Sequence, residues 1–198
     1  MIFLFLLLIL LGTAAGVWFS GLWSGLITLV NLILAATIAT TFYEPLCTAL
    51  EGVGAVASYT YLLDFVILWL LFAITFAILR AFTDALSKES VEFALPVEIG
   101  GRSIFALACG WVMVCFVAFS LHMAPLNSAA PLGAFESPSS KTFAAASPDR
   151  MWLGYMYSRS RPSAFGGNQF DPNADFVLRY RDRRVKYAAD GANMKFQR

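Results

Sequence analysis

The side chains able to do chemistry are few and far apart. Asn31 stands deep inside a stretch without charges. Its amide calls for a partner on a neighbouring helix, a contact worth about 1 kcal/mol in lipid. Asp64 lies a few residues inside another apolar block. A carboxylate there is costly unless it reaches the surface, is paired or is protonated, so it reads as a side chain snorkelling to headgroup water, with a proton-relay or ion-site role as the sharper alternative. His122 is the one histidine, with no cysteine or carboxylate cluster at metal-ligand spacing around it. Phosphate-binding Gly-rich loops, nucleophile elbows and HExxH are absent from the sequence. These residues give no catalytic, cofactor or metal site, and the expectation is a protein that is not an enzyme.

Small residues form the next pattern. Gly12, Gly16, Ser20 and Ser24 recur four apart, as do Gly21 and Gly25, and Ala106 with Gly110 repeats the spacing. Such ladders let helix backbones approach closely, because packing drives helix association in lipid. Packing within the chain is the plainer reading and a homo-oligomer seam the sharper one. Cys47, Cys109 and Cys115 read as small packing residues; the last two lie six apart on one expected helix and point to different faces.

The elements that must carry these residues follow from composition. The chain has 198 residues, 59% of them hydrophobic and 14% charged. An average soluble domain has roughly 25% charged residues. This argues against an ordinary soluble globule, a disordered chain and a coiled coil. Net charge is +1, unevenly spread: residues 1–126 hold three basic and seven acidic side chains, residues 127–198 eleven and six. No charge occurs from Met1 to Tyr43. A helix crosses the hydrocarbon with about 20 residues, so this run suits two crossings. The expected spans are 2–18, 25–43, 62–80 and 103–123, with the first break at Phe19-Ser20-Gly21-Leu22-Trp23-Ser24. Glu44-Pro45 is expected to stop the second helix. The first span reads as a retained helix rather than a cleaved signal, since no Lys or Arg precedes it. Between the third and fourth spans, Phe82, Leu86 and Phe93 with Asp84, Lys88, Glu89 and Glu92 suggest a short amphipathic helix ended by Pro96.

An even number of crossings puts both termini on one side. Arg80, Lys88 and Arg102 flank or occupy the 81–102 connection, whereas the 44–61 connection has no basic residue. The positive-inside rule then makes the 81–102 connection cytoplasmic and both termini extracytoplasmic.

Residues 127–147, rich in Ala, Ser and Pro, read as a linker. Ser147-Pro148-Asp149 resembles a helix start, and Met151, Trp152, Tyr155 and Met156 form a stripe suited to headgroup depth. Asp171-Pro172-Asn173 repeats the start signal, and Gly191 reads as a stop. Between them Phe176, Val177, Tyr180 and Val185 alternate with Arg179, Arg181, Arg183, Arg184 and Lys186. Trp152, Tyr155 and these arginines are expected to touch anionic lipid or a membrane-protein partner, with no nucleic acid involved.

The order of features also resembles a known family. A first span ends in Val17-Trp18-Phe19-Ser20-Gly21-Leu22-Trp23-Ser24-Gly25; a second continues Leu26-Ile27-Thr28-Leu29-Val30; a third ends in Arg80-Ala81-Phe82-Thr83-Asp84; and Gly100-Gly101-Arg102 opens Ile104-Phe105-Ala106-Leu107-Ala108-Cys109-Gly110. Over residues 1–126 this is similar to the colicin V production (CvpA-like) family of small bacterial inner-membrane proteins. The resemblance implies an envelope component linked to peptide-toxin production or export, or to membrane homeostasis. A small transporter or channel subunit, with Asn31, Asp64 and the fourth span lining a path in an oligomer, and a scaffold recruiting a partner through its tail, are the other readings. The expected fold is all-α: four transmembrane helices followed by a mostly irregular, partly helical tail.

Overall fold

The computed structural model describes residues 2–51, 60–87, 93–124, 143, 146–160 and 170–193; side chains of 51, 60, 61, 184 and 187–193 lie outside that description. It is helical: α1 Ile2–Trp18, α2 Leu22–Glu51, α3 Thr60–Leu86, α4 Leu95–Leu121, α5 Pro148–Arg159 and α6 Phe176–Asn193. Among the described residues the sole β feature is the bridge between Phe143 and Ala146. Three helices, α2, α3 and α4, are long and apolar enough to cross a membrane, and α1 is a shorter apolar helix.

The break between α1 and α2 is tight. Ser20 and Gly21 donate back to Val17 and Trp18. Gly21 has φ +88°, a left-handed backbone that glycine adopts without penalty. The first N–H of α2, at Leu22, finds its acceptor far along the chain, in the Glu98 carboxylate of α4 at 3.0 Å. That carboxylate also takes Arg102 Nη2 at 2.7 Å, and the Arg102 guanidinium lies over Trp18. One side chain thus fixes the start of α2 against α4.

The bundle runs up, down, up, down. Along α1 and α4, Trp18 meets Arg102, Gly110 lies against the Leu10 carbonyl, and Ile2 and Leu6 pack with Val114, Val117 and Ala118. Along α2 and α3, Trp23 Nε1 donates to Ser87 Oγ at 2.7 Å, and Asn31 Nδ2 to Thr83 Oγ1 at 2.9 Å. α4 is the central helix: every residue from 114 to 120 is buried. Outward faces are apolar. Leu62, Val66, Leu70, Ile74 and Ile78 form one exposed stripe on α3, as do Phe5 and Leu8 on α1. An apolar exterior over a packed interior is the pattern of helices solvated by lipid.

Several boundaries differ from expectation. Pro45 does not stop α2; the helix passes through it to Glu51. A helix-interior proline costs about 3 kcal/mol. Tyr43 and Cys47, both buried on the inner face, anchor the turns on either side and offset it. Pro96 does not end a connecting helix but sits in the first turn of α4, where a missing N–H leaves nothing unpaired. Phe82 and Leu86 belong to the last turns of α3, and the fourth apolar helix starts at Leu95 rather than 103. Lys88, Glu89 and Glu92 of that connection, and most of the linker 127–147, lie outside the described residues. Gly191 lies within α6 rather than beyond its end.

Candidate functional site: a polar cap over one end of the bundle

The end of α2, the first turns of α3 and the end of α4 lie together, and the C-terminal helices fold over them. α5 begins where expected, at Pro148, although the Ser147 side chain makes no capping bond. Asp149, in its first turn, turns inward and meets His122 Nε2 at 3.0 Å, both side chains being buried. The pair joins the C-terminal end of α4, which favours positive charge, to the N-terminal end of α5, which favours negative charge. Farther along α5, Trp152 Nε1 donates to Thr40 Oγ1 at 3.2 Å, and the Tyr155 hydroxyl shares a 3.3 Å bond with Thr37 Oγ1. Trp152 packs edge-on against Phe116, and Met156 is buried beside it. The stripe expected to lie in headgroups therefore turns onto α2 and α4. Trp152 is 4% exposed, and Met151 remains outside. The physical reason is the pair of threonine hydroxyls on α2, which satisfy the indole and phenol within the protein.

α6 covers the rest. The Asp171 carboxylate accepts the N–H groups of Asp175 and Phe176, so the cap acts four and five residues ahead of its own position, through positive φ at Asp171 and Ala174. Phe176 is fully buried, stacked on Phe119 and edge-on to His122. One turn on, the Tyr180 hydroxyl donates to Asp64 Oδ2 at 2.7 Å, and Arg183 Nη1 binds the same oxygen. Arg179 Nη2 reaches Glu44 Oε1 at 3.2 Å, and Tyr43 donates to that oxygen. Burial, and next the Asp64 charge, raise the Tyr180 phenol well above its usual range, so it stays a donor.

Asp64 does not snorkel into water. It is 5% exposed and enclosed by α6, because Tyr180 and Arg183 supply the donor and the counter-charge that water would otherwise provide. Arg179 and Arg183 are turned to carboxylates of the bundle, Arg181 faces outward, and the Arg184 side chain lies outside the described residues. Nothing local marks this arrangement, for Asp64 and Arg183 are 119 positions apart. The available signal was the spacing of Phe176, Tyr180 and Arg183 on one face of α6.

Asn31 belongs to the other end. Thr83, its partner, is 19 residues from Asp64 along α3, about 28 Å at the rise of an α-helix. Arg80 is its neighbour, donating to Thr28 and Ser24 on α2 and to Asp84 on its own helix. Asn31 and Asp64 therefore share no site. Of the small residues, Gly25 lies near Val17 and Phe105, Ala106 is buried, and Gly110 touches the α1 backbone. Gly12 and Gly16 face open space: among the described residues nothing lies within 4 Å of a Cβ added at either. Among the described residues no group of three His, Cys, Asp or Glu side chains is gathered for a metal ion.

Comparison with known proteins found no matching family model, no matching curated protein and no matching solved structure.

Proposed function

We propose that this chain is a non-enzymatic, four-span component of a bacterial inner membrane, of the CvpA-like kind, serving colicin V-type toxin production or export, or membrane homeostasis. The observation that carries the reading is an antiparallel bundle of apolar helices whose polar C-terminal helices are folded onto its own end. α1 is the fourth crossing. Its 17 residues extend about 26 Å, and it follows α4 from Arg102 to Val117. In this reading Arg80 and Arg102 lie at the cytoplasmic end and α5 and α6 cap the extracytoplasmic one, counting the basic residues of the short connections and leaving out the long polar tail, which translocates largely regardless of charge. Two features favour this over the alternatives. Asp64 and Asn31 are at opposite ends, which argues against a polar path through the chain. Trp152, Arg179 and Arg183 are engaged within the chain, which argues against a tail held out for a scaffold partner.

The test is deletion and complementation in a host that secretes a colicin V-type peptide. Loss of peptide release or of resistance to envelope stress, restored by the intact gene, is the expected result. Unchanged release and unchanged resistance would reject the proposal. Thiol labelling of Arg181→Cys in intact cells tests the orientation: reaction before permeabilisation is expected, and reaction only afterwards would reverse it.

A further inference from the structure

The two C-terminal helices are attached to the bundle by different physics. α5 is held by buried contacts: Pro148, Trp152 and Met156, and the enclosed pair His122–Asp149. α6 has one deep apolar anchor, Phe176, with Tyr180 beside it and Val177 half-buried against the core; its other ties are the ion pairs of Arg179 and Arg183. The Arg179 and Glu44 side chains are 47% and 46% exposed, and Arg183 is 33% exposed. A pair as exposed as Arg179–Glu44 is worth little, about 0–1 kcal/mol, and weakens with salt; the Arg183–Asp64 pair has a buried carboxylate, but water reaches it from the guanidinium side. The backbone entering α6 carries positive φ at two non-glycine residues, Asp171 and Ala174. Beneath this weakly held helix lies Asp64, a buried carboxylate in the first turns of a membrane helix. Among the described residues, both of its partners, Tyr180 and Arg183, come from α6.

We propose that α6 is a displaceable cap, an internal cationic helix that occupies Asp64 and can leave it while α5 stays docked. Docked, α6 supplies the guanidinium and phenol that satisfy the carboxylate. Displaced, it opens the end of the α2–α3 seam and presents Asp64 to water. Release follows the charge of Arg179 and Arg183, since these are the contacts a competing ion can replace. The proposal goes beyond the envelope role above, concerning the gating of one carboxylate whatever process the bundle serves.

Three aspartates make the test internally controlled. Asp84, at the far end of α3, is 54% exposed; the Asp64 and Asp149 side chains are each 8% exposed, the first under α6 and the second under α5. The full chain in lipid nanodiscs is treated with a water-soluble carbodiimide and glycinamide. This converts each accessible carboxyl to the amide with release of the urea, and adducts are counted by peptide mass spectrometry. In the wild type at low salt, Asp64 is expected to react roughly 7-fold more slowly than Asp84, in proportion to exposure. In Arg179→Gln/Arg183→Gln Asp64 is expected to approach the Asp84 rate while Asp149 stays protected; in the wild type at 1 M salt (a Debye length of about 3 Å), which screens the exposed Arg179–Glu44 pair more than the buried Asp64 end, Asp64 is expected to move part of the way, with Asp149 again protected. Asp64 reacting at the Asp84 rate in the low-salt wild type would overturn the proposal, because no cap would exist. Protection unchanged in both the variant and high salt would overturn it too, as would Asp149 reacting together with Asp64, since the helices would then leave as one unit.

Discussion

Gly110→Ala is the most direct probe of how α1 is seated. A Cβ built on Gly110 falls 2.8 Å from the Leu10 carbonyl oxygen and 3.4 Å from Leu10 Cγ. Ordinary carbon contacts begin near 3.4 Å, so α1 must withdraw by about 0.6 Å at that level or tilt away from α4. The obstacle is backbone, which cannot swing aside as a side-chain tip can. Overpacking of this kind costs about 1–3 kcal/mol. Replacing glycine by alanine in a helix returns about 0.5–1 kcal/mol through backbone entropy. The expected net loss is about 1–2 kcal/mol, near a tenfold change in the unfolding equilibrium. Gly12→Ala and Gly16→Ala are the matched controls: neither added Cβ meets anything within 4 Å, so both are expected to be neutral or slightly stabilising. Reversible unfolding in mixed micelles, followed by circular dichroism against added dodecyl sulfate, reads all three. If Gly110→Ala is as stable as Gly12→Ala, the seating of α1 on α4 described above is wrong. If Gly12→Ala or Gly16→Ala is costly in a bilayer but not in micelles, another chain lies on that face.

Glu98→Ala removes the acceptor for Leu22 N–H and the partner of Arg102. It should lower stability by about 1 kcal/mol, the usual value of a helix cap. Glu98→Gln keeps an oxygen acceptor and should lose less, and hydrogen exchange in the first turn of α2 checks both; equal exchange in all three proteins would contradict the capping role. Trp152→Ala removes the buried anchor of α5, a loss of about 3–5 kcal/mol for a large aromatic, and should make Arg150 and Arg159 rapidly cleavable by trypsin in nanodiscs. Slow cleavage in that variant would mean that α5 is held elsewhere. Burial, with the Asp64 charge second, raises the Tyr180 phenol above its ordinary 10.0. The Tyr180–Asp64 contact keeps its full stabilising effect below pH 10 and loses it as the pH rises above. Docking of α6, read by spectroscopic distances between labels on α6 and α3, should be level from pH 7 to about 9.5 and weaken beyond. Tyr180→Phe should lose the alkaline component, and an identical alkaline profile in that variant would refute the assignment.

Much of the helical framework was legible because it depends on local chemistry and on lipid. A run without charges to Tyr43, broken at Ser20-Gly21, is what two apolar helices and a tight turn require. Proline in a first turn marks the start of α5 well, since the signal and the structure are neighbours. The same residue type misled at positions 45 and 96, because a proline can stop, open or interrupt a helix and tertiary packing decides which. The polar cap was not legible as a site. Its parts, Asp64 with Tyr180 and Arg183, His122 with Asp149, and Thr40 with Trp152, are joined across 27 to 119 positions. A hydrophobic and charged pattern shows that the α6 face exists but not which surface it meets. Read alone, aromatic and basic side chains beside a membrane point to headgroups. Here hydroxyls and carboxylates at the end of the bundle compete for the same groups and hold them.

All of this depends on lipid being the medium around α1 to α4. Membranes from expressing cells, washed in alkaline carbonate and sedimented, measure that directly. The chain is expected in the pellet, released by detergent as a helical, folded protein. A folded chain in the carbonate supernatant would contradict the account.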